Sequence, residues 1–120
     1  MARPASSSLL IALLLALLLA PAAHAEPGHC RYKQYAPKLR VWYPACQMPA
    51  ASASECEALI SAYKVQVEFA PGACSARGVT AVCEVAGRQV YFYQGRESDL
   101  KRGCEGFLRG TWRRELVPKG

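Results

Sequence analysis

The chain opens on an apolar block and then breaks into short periodic segments. Leu9 to Leu19 is an unbroken run of Leu, Ile and Ala; it follows Met1-Ala2-Arg3-Pro4 and leads into Pro21-Ala22-Ala23-His24-Ala25. A basic start, a short apolar run and a small-x-small exit predict a cleavable secretory signal over residues 1–25. The run is shorter than the roughly 20 apolar residues that a membrane helix needs. No second stretch of spanning length follows, so the mature chain is expected to lack a transmembrane segment and to be secreted or periplasmic.

Periodicity divides the rest. Residues 26–53 hold Pro27, Pro37, Pro44 and Pro49 among Tyr32, Tyr35, Trp42 and Tyr43, and predict an irregular N-terminal arm. Residues 54–117 predict an α+β domain. Ser54-x-x-Glu57 fits a capping box, and Cys56, Leu59, Ile60 and Tyr63 share one helical face. The period then becomes two: Val65, Val67 and Phe69 alternate with Lys64, Gln66 and Glu68, a half-buried strand ended by Pro71-Gly72.

Val79–Val85 and Gln89–Gln94 predict a hairpin, turned at Ala86-Gly87-Arg88 where glycine allows a positive φ. Ser98 or Asp99 is expected to cap a second helix with Leu100, Cys104, Phe107 and Leu108 on one face, weakened by Gly103 and Gly106 and stopped at Gly110. Thr111–Val117 predicts a last short strand, and residues 118–120 a frayed tail. The expected architecture is two short helices packed on a three- to four-stranded antiparallel sheet. Cys56-Glu57-Ala58-Leu59-Ile60 echoes Cys104-Glu105-Gly106-Phe107-Leu108. If the echo is structural, each unit presents one cysteine to a shared sheet.

Losing the signal changes the balance of the chain. About 95 residues remain, one domain whose core is marginal without help. The six cysteines Cys30, Cys46, Cys56, Cys74, Cys83 and Cys104 all remain, and an even set in a short exported chain is a disulfide framework by default. Their wide spacings, with His29 the one histidine of the mature part, argue against a metal site. Trimming to Pro27-Gly28-His29 would create a third-position imidazole able to chelate Cu(II), but the expected cut leaves His29 fourth, so no metal or other cofactor is expected.

Cys74 and Cys83 enclose Gly78-Val79; Tyr91-Phe92-Tyr93, Cys104 and Gly110-Thr111-Trp112 follow. This pattern, over about residues 54–113, resembles small exported cysteine-containing bacterial proteins of unknown function. The lack of proline after Cys74 and the single glycine at 110 depart from it. The resemblance implies a small exported α+β domain and no activity. Six cysteines allow many pairings. Local reasoning prefers Cys74–Cys83 across the hairpin base, Cys56–Cys104 between the helices and Cys30–Cys46 closing the arm.

The net charge of +6 falls to +5 when Arg3 leaves with the signal. The basic residues form two groups interleaved with aromatics. Arg31, Lys33, Lys38 and Arg40 accompany Trp42; Arg109, Arg113, Arg114 and Lys119 surround Trp112. A solvated basic surface is the plainer reading, and a contact surface for a polyanion or a partner protein is the sharper one. Catalytic chemistry is not indicated. No phosphate loop, dinucleotide turn or metal-binding helix occurs, and His29 near the new terminus is a poor general base. The expected function is a non-enzymatic binding or inhibitory module whose partner is a protein or an anionic envelope component. The alternative is a basic binder of anionic glycan, lipid headgroup or, less favoured, nucleic acid.

Overall fold

The computed structural model describes residues 27–119, so the expected signal segment lies outside the described residues. Six strands make one antiparallel sheet: β1 (Gly28–Ala36), β2 (Val41–Ala50), β3 (Lys64–Pro71), β4 (Ala81–Val85), β5 (Arg88–Phe92) and β6 (Thr111–Trp112). Their spatial order is β3-β1-β2-β5-β4-β6. Helix α1 (Ala53–Glu57) follows β2. Helix α2 (Glu97–Arg102) follows β5 and widens into a π turn, Gly103–Phe107. A 3-10 turn, Arg114–Leu116, comes after β6.

The sheet is therefore larger, and the helices shorter, than the sequence predicts. The expected irregular arm is the hairpin β1–β2, the longest strand pair among the described residues. Its prolines do not break it, because they sit where the sheet makes no demand on them. β2 pairs with β5 only over Ala45–Met48, so Pro44 and Pro49 lie just outside that ladder, where β2 has β1 alone beside it. Pro37 falls in the connecting turn, closed by the Arg40 amide on the Ala36 carbonyl at 2.8 Å, with Arg40 at a positive φ.

Helix α1 starts from Ser52 rather than Ser54, and no side-chain cap bond forms; the Glu55 carboxylate instead accepts the Ala51 amide. Leu59, Ile60 and Tyr63 lie beyond its end, in the turn that enters β3. The β4–β5 hairpin forms as predicted, with both turn residues, Ala86 and Gly87, at positive φ. Helix α2 begins after Arg96, not at Ser98 or Asp99. Leu100 and Cys104 are buried as expected, but the π turn leaves Phe107 exposed. Arg109, not Gly110, takes the left-handed position; the Gly110 amide closes the end on the Cys104 carbonyl at 2.7 Å. The final strand is only two residues long.

Strand alternation builds two cores from one sheet. On one face Cys30, Tyr32, Ala45, Cys83, Val90 and Phe92 pack under the helices with Cys56, Leu100 and Cys104. On the other, Cys46, Val82 and Tyr91 pack against Cys74, Val79, Leu116 and Val117. The bridges follow this division: Cys30–Cys56 ties α1 to β1, Cys83–Cys104 ties the helical turn to β4, and Cys46–Cys74 ties the 72–80 loop to β2.

All six cysteines are bridged, and all three preferred pairings are corrected. Register explains the first correction. Cys46 stands opposite Arg31 and Cys30 opposite Gln47, so Cys30 and Cys46 point to opposite faces. The sheet likewise separates Cys83, under the helices, from Cys74 on the other side. Cys56 and Cys104 share a face, yet each bridges to the strand beneath it.

Candidate functional site

The β1–β2 hairpin tip gathers aromatic side chains that a soluble core would bury. Tyr35 and Trp42 are paired across the hairpin, with ring centroids 4.8 Å apart. Tyr63 stacks on Tyr35 at 6.3 Å, and Phe107 meets Tyr63 edge-on at 5.3 Å. The strand ladder sets the middle of this row, because the Tyr35 amide donates to the Tyr63 carbonyl at 2.8 Å. Trp42, Tyr63, Phe107 and the tip residue Leu39 keep 43, 44, 44 and 39% of their surface exposed. The row thus continues from the first hairpin to the π turn without being covered.

Beside it lies a groove of about 330 Å³, between the hairpin tip and the α2–π segment. Ala36, Pro37, Leu39, Tyr43, Leu100 and Leu108 give it apolar walls. Gln34 is its one wholly buried polar side chain, 4% exposed. Its amide nitrogen donates to the Tyr35 carbonyl at 3.2 Å, which leaves the side-chain oxygen as an acceptor without a partner among the described residues.

The surrounding charge is one-sided. Lys33, Lys38 and Arg40 on the hairpin, Lys64 at the start of β3 and Arg102 across the groove form no ion pair among the described residues. The acid that lines the groove, Asp99, is held by Arg96 at 3.0 Å. Burial pushes the Lys64 ammonium below its ordinary range.

The second basic group lies elsewhere. β6 is four strands from β1, roughly 20 Å at ordinary strand spacing. Its arginines already have acid partners: Arg113 lies 3.5 Å from both Glu84 and Glu115, and Arg114 lies 3.8 Å from Glu97. Trp112 packs on the core below the helices. Arg109 is exposed in the turn before β6. Of the residues singled out from sequence, Lys33, Arg40 and Trp42 gather at the hairpin end. Arg31, in β1, pairs with Glu68 at 3.4 Å; Trp112, Arg113 and Arg114 lie at the far edge, and Arg109 sits in the turn between the groove-lining Leu108 and β6.

A second, more polar hollow lies across β1 and β2 by the 73–77 loop, lined among others by His29, Arg31, Lys33, Glu68, Arg77 and Tyr93. His29 is not part of a loose terminus: it is buried in β1, and its Nδ1 donates to the Gly72 carbonyl at 2.9 Å. The Tyr93 hydroxyl donates to the Ser75 carbonyl at 2.8 Å. Among the described residues no group of three or more His, Cys, Asp or Glu is placed to hold a metal ion.

No family model, curated protein or solved structure matches the chain. Sequence reasoning did not bring Tyr35, Leu39, Tyr63 and Phe107 to the candidate surface, since Tyr63 and Phe107 fit helical core faces. The usable signal was Tyr35 and Trp42 placed either side of the Pro37–Arg40 turn.

Proposed function

We propose that this chain is an exported, non-enzymatic binding module that contacts its partner through the hairpin end. The carrying observation is the uncovered row Trp42–Tyr35–Tyr63–Phe107. Rigid aromatic side chains supply large contact area at little entropic cost, and Tyr, Trp and Arg dominate interface hot spots. The three bridges hold the elements that carry the row, and they fit an oxidising compartment, secreted or periplasmic. A second reading, an anionic partner, is favoured by Lys33, Lys38 and Arg40 beside that row, which form no ion pair among the described residues.

The test is capture of partners from the extracellular and envelope fractions on immobilised chain, with the double variant W42A/Y63A alongside. Each hot-spot aromatic is worth at least about 2 kcal/mol, so the variant is expected to lose more than tenfold in retention while its folding is unchanged. Steep loss of wild-type capture with added salt supports the anionic reading. Equal capture by wild type and variant removes the hairpin end from the account.

A further inference from the structure

The groove differs from the aromatic row in being concave, and its size is that of a small-molecule site, at the lower end of the roughly 300–1,000 Å³ such sites span. Its walls are hydrocarbon and aromatic, from Ala36, Pro37, Leu39, Tyr43, Leu100 and Leu108. Its two cationic lining residues, Lys38 from the hairpin and Arg102 from α2, approach from opposite sides and form no ion pair among the described residues. The acid that lines the groove, Asp99, is paired with Arg96. An apolar cleft with unsatisfied positive charge at its margin is complementary to one chemistry: a single alkyl chain ending in an anion.

We infer that this groove binds a single-chain anionic amphiphile, the chain between β1–β2 and the π turn and the head group between Lys38 and Arg102. Burial of the chain supplies the affinity and the two exposed cations supply selectivity for the charged head. The site shares Tyr35, Leu39 and Phe107 with the proposed partner surface, but Trp42 and Tyr63 do not line it, so purified ligand can bind whether or not partner capture succeeds.

The test is calorimetric titration of the disulfide-intact mature chain with octanoate, decanoate and dodecanoate below their micellar concentrations, and with decanol as the uncharged control. Each two-carbon step is expected to raise affinity roughly fifteenfold until the groove is filled, because each buried methylene contributes about fourfold. Decanol should bind roughly five- to tenfold more weakly than decanoate, and K38Q/R102Q should erase that difference. Gly106 lines the groove, and a side chain added there meets nothing within 4 Å, so G106L is expected to fold normally and to obstruct binding. Absence of binding by any of the carboxylates overturns the site. So does affinity independent of chain length, or equal affinity in wild type, G106L and K38Q/R102Q.

Discussion

Tyr32 stands in the middle of β1, buried under the helices, with a hydroxyl that finds no partner among the described residues. A buried polar group without a hydrogen bond costs about 1–3 kcal/mol. Burial also pushes its phenol well above the ordinary value of 10.0. The sign follows from linkage. Above pH 10 the unfolded chain releases this proton while the folded chain keeps it, so the stability present below pH 10 is lost as the pH rises further. Tyr93 acts in the same direction, raised by burial and then by Tyr91, whereas Lys64 acts oppositely because burial lowers it. Tyr32→Phe is therefore expected to be unchanged or about 1 kcal/mol more stable at pH 7. Its stability should also fall less steeply above pH 10, by up to about 1.4 kcal/mol per pH unit. Urea unfolding of both proteins from pH 7 to 11 measures this, and the wild-type-minus-variant difference cancels the other two groups. Parallel curves would contradict it.

At the scale of elements, the face to which a strand points decides the covalent framework. Peptides from unreduced digestion should join Cys30 to Cys56, Cys46 to Cys74 and Cys83 to Cys104; a Cys74–Cys83 peptide would contradict the fold. Replacing Cys46 and Cys74 by alanine should cost about 2–4 kcal/mol in urea unfolding, since the bridge closes a separation of 28 residues and pins the 72–80 loop over the second core. Much of this level was legible in the sequence. The alternation of Val65, Val67 and Phe69 gave β3, Ala86-Gly87 gave the β4–β5 turn, and Cys56 and Cys104 each face the sheet from a helix, as their echo suggested. What failed was reasoning by proximity along the chain. Cys74 and Cys83 are close in sequence and lie on opposite faces; Pro44 and Pro49 look like breakers and occupy positions with a single neighbouring strand. Periodicity was also blind to tertiary capture. Leu59, Ile60 and Tyr63 have helical spacing, but the chain turns to pair Tyr63 with Tyr35 instead.

Over the whole molecule, the distribution of charge matters more than its sum. The net charge of +6 suggests one diffuse basic surface, but acids quench Arg113 and Arg114 at the β6 edge, whereas Lys33, Lys38 and Arg40 on the first hairpin form no ion pair among the described residues. Aromatic exposure is polarised in the same direction, since Trp42 is open and Trp112 is packed. Both asymmetries support the proposed partner surface at the hairpin end, and neither could be read from a sequence that interleaves Arg and Trp similarly in both groups. The most direct measurement is site-specific photo-crosslinking of the chain in its native surroundings, with a benzophenone side chain at position 39 or at position 114. Position 39 lies at the hairpin tip and position 114 at the opposite edge, and both are exposed. Discrete adducts from position 39 and none from position 114 are expected. Adducts from position 114 alone would contradict the assignment of the binding end.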